Sequence, residues 1–156
     1  ETLSGAERRR MITDLSEALA ELTDGRVSAF ASVRFETATA GESVNVFRRG
    51  QIVAGRFLGV QARAGTLGYG VRSARRGAIT AAAVMLDRDF DRRSDRRRAL
   101  RTHELGHALG YNHVESQPSV MNPRVGIGLT DFDRRAVRLT LGQAPVLPLA
   151  RVGDPN

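Results

Sequence analysis

The chain contains no cysteine, so a disulfide cannot hold the fold together and a thiolate cannot bind metal or act as a nucleophile. Tryptophan is also absent, and the 156 residues include only two tyrosines and six phenylalanines. This scarcity of aromatic rings argues against a surface on which nucleic-acid bases stack. No apolar run approaches the roughly 18 residues of a membrane span, so we expect no membrane span.

Lysine is missing as well, and all 24 basic residues are arginines, which outnumber the 17 acidic residues and give a net charge of +7. A charge excess of this kind can indicate a partner that carries phosphates. We interpret the exclusive use of arginine as the mark of a GC-rich, bacterial coding sequence, and we do not expect nucleic acid as a partner. A basic nucleic-acid-binding domain stays as an alternative.

A chain of this length is expected to form one domain. Residues 1–142 carry the patterns of helices and strands, whereas residues 143–156 contain three of the five prolines and are predicted to be a C-terminal tail. The chain begins with Glu1 instead of methionine, and we expect it to be part of a longer protein. We expect a monomer.

Local signals predict three helices. Ser4 and Glu7 form a capping box ahead of apolar residues at helical spacing, and Gly25 can end that helix in a left-handed conformation. A second helix is predicted from Ser94 or Asp95, and a third from Thr130, with Asp133 completing its cap, to Gly142.

Strands are predicted where apolar and polar residues alternate or where an apolar run is short. The segments are Val27–Phe35, Ser43–Phe47, an edge strand at Arg56–Gln61, and a strand buried on both faces at Ala78–Leu86. The glycines between Gly55 and Gly77 match neither a Rossmann nor a P-loop pattern, so we interpret them as turn residues. Pro118–Gly128 is predicted to be a loop.

Four aspartates between Asp87 and Asp95 alternate with arginines. A calcium loop is conceivable for this segment, but it has no glycine at the sharp-turn position and no glutamate that closes the series. The arginines also offset the carboxylates. We therefore interpret the segment as a solvated, self-paired surface, and calcium as a cofactor is not supported.

The strongest functional signal is the segment from His103 to His113, which contains all three histidines of the chain. On a helix, His103 and His107 lie about 40° apart around the axis, so both rings can reach one ion. Gly110 can adopt a positive φ angle and turn the chain so that His113 approaches the same ion. Three neutral imidazoles leave one position of a zinc ion open for water, and Glu104 can then act as the general base.

This segment resembles the signature of the metzincin zinc metallopeptidases, H-E-x-x-H-x-x-G-x-x-H, which is followed by a methionine turn. Met121, within Ser119-Val120-Met121-Asn122-Pro123, matches that turn. Its position eight residues after His113 is most similar to the matrixin branch. The resemblance implies an α+β catalytic domain with a twisted mixed β-sheet, an N-terminal helix, an active-site helix, and a short C-terminal subdomain that ends in a final helix.

The same resemblance implies a secreted or extracytoplasmic zinc endopeptidase that hydrolyses internal peptide bonds of protein substrates with one catalytic zinc ion. Met121 would form the floor under the metal, and a peptide would lie along the predicted edge strand. The residues implied for the substrate pocket are Pro123, Arg124, Val125 and Ile127. A catalytically silent, zinc-containing module that binds peptides is the nearest alternative outside enzymes.

Overall fold

The computed structural model describes residues 3–37, 45–57, 66–124 and 126–142. In these ranges the chain forms four helices and one three-stranded sheet. In chain order the elements are α1 (Gly5–Leu22), β1 (Ile52–Phe57), β2 (Gly68–Arg75), β3 (Ala78–Asp87), α2 (Arg88–Arg93), α3 (Arg97–Leu109) and α4 (Asp131–Gly142). The predicted tail at 143–156 lies outside the described residues.

The capping box predicted for α1 is confirmed. The Ser4 hydroxyl accepts a hydrogen bond from the Glu7 backbone N–H, and the Glu7 carboxylate accepts one from the Ser4 N–H at 2.9 Å. Gly25 follows the helix with a φ angle of +74°. Because both ends are fixed by local hydrogen bonds, the apolar stripe of α1 meets the core in a defined register.

The sheet is mixed, with β3 between β1 and β2. β1 runs parallel to β3, and β2 runs antiparallel to it. Arg76 and Gly77 join β2 to β3 with φ angles of +51° and +79°. Positive φ angles at both residues are required in the two-residue hairpin turn whose twist matches that of the strands. α3 packs against β2 and β3, so β2 is the strand at the sheet edge beside this helix.

One hydrophobic core joins α1, α3 and one face of β3. Its fully buried members include Leu100, Leu105 and Ala108 of α3 and Val84 and Leu86 of β3. The prediction of a strand at Ala78–Leu86 is confirmed, although Ala78 and Ile79 at its start are exposed. α3 is therefore held between α1 and the sheet.

Two predicted strands are not present where the structure describes them. Val27–Phe35 is irregular, because Val27 bonds back to the Thr23 hydroxyl and no described strand pairs with the segment. The Asn45 side chain likewise accepts a hydrogen bond from the Phe47 N–H, which favours a turn over a strand. Ser43 and residue 44 lie outside the described residues. Of the predicted edge strand Arg56–Gln61, only Arg56 and Phe57 are described, and they end β1.

The prediction of a solvated, self-paired segment between Asp87 and Asp95 is wrong for its centre. Asp87 caps α2 by accepting a hydrogen bond from the Phe90 N–H, and Asp91 is 1% exposed. Asp91 accepts hydrogen bonds from Arg101 at 2.6 and 2.8 Å and from Arg56 at 2.6 Å. A buried carboxylate paired with two guanidinium groups ties α2 to α3 and β1, which is a structural role.

The architecture agrees at the coarse level with the α+β class expected from the sequence. In the described ranges, no helix is long and apolar enough to cross a membrane.

Candidate metal centre

The three histidines come together through the end of α3. His103 and His107 lie on this helix, which ends at Gly110 with a φ angle of +106°. The Tyr111 N–H donates to the Gly106 carbonyl oxygen at 2.9 Å and so fixes the turn. The chain then reverses direction and brings His113 beside the helix, as the spacing and Gly110 predict.

The Nε2 atoms of the three rings converge on one point. The Nε2 atom of His107 lies 3.1 Å from that of His103 and 3.1 Å from that of His113. Two ligands at tetrahedral angles on a zinc ion, each at 2.0–2.1 Å, would be about 3.3 Å apart. The observed separations are close to that value, and these histidines form a group that can hold a metal ion.

Hydrogen bonds at the opposite ring nitrogens determine which tautomer two of the imidazoles adopt. His103 Nδ1 lies 2.7 Å from the Val120 carbonyl oxygen, and His107 Nδ1 lies 2.9 Å from that of Tyr111. A carbonyl oxygen can only accept, so each Nδ1 carries the proton and each Nε2 presents a lone pair. Two lone pairs at 3.1 Å repel each other, and a cation between them removes the repulsion.

Burial favours the neutral form of the His103 ring. The pKa of His103 is lowered to about 4, chiefly by desolvation and to a smaller extent by the neighbouring His107 and His113, against the opposing effect of the hydrogen bond to the Val120 carbonyl. A neutral imidazole is the form that binds metal. The ligand is thus in its binding form at neutral pH.

Glu104 lies under β2. Its side chain is buried, and a Cβ atom built on Gly68 would come within 2.6 Å of its Oε1 atom. Burial raises the pKa of Glu104 to about 8, while a hydrogen bond from the Gly70 backbone lowers it. A cation at the adjacent histidines would favour the ionised carboxylate. Because β2 contacts Glu104 so closely, the position of this strand fixes the position of the predicted base.

Met121 is 4% exposed and packs below α3. A Cβ atom on Gly106 would lie 2.5 Å from its sulfur, so the glycine permits the close approach. The Asn122 N–H donates to the Ser119 carbonyl oxygen at 3.1 Å, which closes a tight turn around Met121. The turn lies directly beneath Gly106, which precedes His107 on the helix.

Asp133 of α4 anchors this turn. Its carboxylate accepts hydrogen bonds from the Ser119 hydroxyl at 2.5 Å and from the Val120 N–H at 2.9 Å. It also accepts one from the Thr130 N–H at 2.8 Å, and so completes the predicted cap of α4. Since the Val120 carbonyl orients His103, Asp133 is connected to His103 through Val120.

Two of the four residues predicted for the substrate pocket line a cavity in the structure. Pro123 and Arg124 line an open cavity of about 650 Å³. Glu115, Ser116, Gln117, Pro118 and Asn122 form the rest of its lining. Ile127 is exposed and does not line it, and Val125 lies outside the described residues. Five of the seven residues that line it have polar side chains.

Sequence reasoning missed two parts of this centre. Gly68 and Gly70 were interpreted as turn residues, but both belong to β2 and let it approach Glu104. Asp133 was predicted only as a helix cap. A signal for the glycines exists in their spacing of two, which places both on the same face of a strand.

No family model matches this chain, and no curated protein matches it. The arrangement of its own residues must therefore carry any assignment of function.

Proposed function

We propose that the chain is the catalytic domain of a zinc-dependent endopeptidase similar to the matrixins. His103, His107 and His113 hold the zinc ion, and Glu104 is the general base. The observation that carries the proposal is the convergence of three Nε2 atoms, with the Nδ1 atoms of His103 and His107 bound to carbonyl oxygens. The cation is a proposal as well: an all-imidazole donor set with an open position suits zinc.

A zinc ion held there would supply Lewis-acid chemistry and make a water molecule more acidic. Glu104 performs the proton transfers: it accepts a proton from the attacking water and delivers it to the leaving amine. Its fixed place between α3 and β2 supports this role, because a base acts only when it is held within hydrogen-bond reach. Met121 packs beneath the helix and keeps the two helical ligands in place.

The substrate strand is assigned to β2 and not to the predicted Arg56–Gln61 segment. β2 packs on α3 and its glycines contact Glu104, whereas Arg56 in β1 faces Asp91 and Glu7. In the described residues β2 has a strand partner on one side only. A peptide that adds to the other side would bring its backbone past Glu104.

The experiment that tests the proposal compares Glu104→Gln with His113→Ala. Gln keeps the size of the side chain but cannot accept a proton, so zinc content should stay near one per chain while turnover falls by at least about 10²–10⁴-fold. His113→Ala removes a ligand, so zinc retention and activity should fall together. Zinc is measured by elemental analysis and turnover by cleavage of an unstructured protein.

The proposal is contradicted if Glu104→Gln cuts at a near-normal rate or loses zinc as readily as His113→Ala. If the unmodified chain binds zinc and peptides but cuts neither blocked nor free peptides, it is the silent binding module instead.

A further inference from the structure

The hairpin formed by β2 and β3 is strongly basic at its free end. Arg72, Arg75 and Arg76 lie in or directly after β2, and no acidic residue occurs from Gly68 to Leu86. All three arginines are exposed. The hairpin therefore presents positive charge to solvent next to the candidate metal centre.

Three carboxylates of α1 and α2 are engaged with other arginines. Glu7, Asp14 and Asp91 form ion pairs with Arg56 and Arg101 around α1 and α2. In the part of the chain that the structure describes, Arg75 and Arg76 form no ion pair. The net charge of +7 is thus left partly uncompensated at the hairpin.

The three arginines differ in what they can do. Arg72 faces α3 and donates to the His107 carbonyl oxygen at 3.1 Å, so it is held at the end of the helix. Arg75 lies five residues beyond Gly70, which is beside Glu104 and His107. At about 3.3 Å per residue, Arg75 is about 16 Å along the strand from that point. A peptide laid along β2 would reach it four to six residues from the bond at Glu104.

We propose that the edge of β2 selects an extended, acidic peptide segment, whose Asp or Glu side chains pair with Arg75 and Arg76 four to six residues from the bond that is cut. This inference rests on the proposed peptidase function and adds the class of substrate. Backbone hydrogen bonds to β2 give the peptide its register, and the two guanidinium groups give the charge preference.

The test measures binding with the zinc-loaded Glu104→Gln chain, which holds peptides without cutting them. Fluorescence anisotropy compares labelled twelve-residue peptides. One peptide has acidic residues four to six residues before the central bond, a second has them four to six residues after it, and the third has serines at these positions. Two exposed ion pairs should make the peptide whose acidic residues reach Arg75 and Arg76 bind roughly three- to tenfold more tightly than the serine peptide at low salt. This difference in affinity should shrink with added salt. Arg75→Glu with Arg76→Glu should reverse the preference.

Arg9→Glu with Arg10→Glu is the matched control, because it changes the net charge equally on the exposed side of α1 and should leave the preference in place. The inference is overturned if acidic and neutral peptides bind equally, or if both double variants lose the preference alike. It is also overturned if single-stranded DNA binds more tightly than the acidic peptide and only the hairpin variant weakens it. With the unmodified zinc-loaded chain, cleavage of the acidic and serine peptides at equal rates would refute the acidic preference alone, whereas cleavage of none of them would refute the peptidase.

Discussion

Two carbonyl oxygens, those of Val120 and Tyr111, decide the chemistry of the histidines they contact. Each accepts a hydrogen bond from the Nδ1–H group of its ring, which leaves the Nε2 lone pair directed towards the common point. Neither carbonyl belongs to the H-E-x-x-H segment. The ligands are therefore oriented by the two turns that follow α3, and not by the helix alone.

At Gly70 the strand β2 closely approaches the backbone of α3. A Cβ atom there would overlap the Glu104 carbonyl oxygen and lie 2.6 Å from the His107 Cβ atom. Because both are held by the helix backbone, Gly70→Ala must separate β2 from α3, and we expect unfolding free energy to fall by about 1–3 kcal/mol. Chemical denaturation measures this loss.

Gly128→Ala is the control for that substitution, because a Cβ atom at Gly128 meets nothing within 4 Å. Equal stability of the two variants would show that β2 does not press on α3 as described.

At the scale of elements, α4 and the Met121 turn depend on one carboxylate. Asp133→Asn keeps the size of the side chain, but its amide cannot accept all of the hydrogen bonds from Ser119, Val120 and Thr130. We expect affinity for zinc to fall about 10-fold, because the Val120 carbonyl that orients His103 loses its support. Competition with a coloured chelator measures the affinity.

Asp131→Asn removes a charge from the same first turn of α4, but Asp131 is exposed. If this control weakens zinc binding as much as Asp133→Asn does, the effect comes from helix electrostatics and not from the anchor.

The start of α1 should make stability depend on pH. Hydrogen bonds from Arg56, and then from Ser4, lower the pKa of Glu7 to about 2. An unfolded glutamate titrates near 4.3, so the folded carboxylate stabilises the protein above about pH 4.3, and this contribution disappears as pH falls towards 2. Glu7→Gln should therefore cost about 1 kcal/mol at pH 7 and progressively less below about pH 4.

Denaturation of both proteins at several pH values checks this dependence. Glu17→Gln serves as the control, because Glu17 pairs with Arg98 on the exposed side of the helix. A penalty for Glu7→Gln that stays constant with pH would exclude the ion pair as its cause.

The difference between what the sequence predicted and what it missed has a physical reason. The caps of α1 and α4 and the left-handed Gly110 are set by residues within four positions of each other, so their patterns are readable. A strand depends on a partner that is distant in sequence, and Val27–Phe35 has the alternation without a partner in the described fold. Burial of Asp91 likewise requires Arg56, 35 residues away. The group of three histidines was predictable because one helix and one turn supply it.

At the scale of the whole molecule, ion pairs are concentrated around α1 and α2. Ion-paired carboxylates surround α1 and α2, whereas Arg75 and Arg76 of the hairpin form no ion pair with the residues that the structure describes. The histidines form the single group of three or more potential ligands within the described residues. One metal ion per chain is therefore the capacity that the described fold supports, and the account depends on that ion being required for peptide cleavage.

The most direct measurement is a zinc titration of the metal-free chain, followed by its rate of cleavage of an unstructured protein. A peptidase with one catalytic zinc ion should not cleave without metal, and its rate should rise with added zinc and level off at about one equivalent. Full cleavage by the metal-free chain, a rate that levels off only at two equivalents, or no cleavage at any zinc concentration would contradict this prediction.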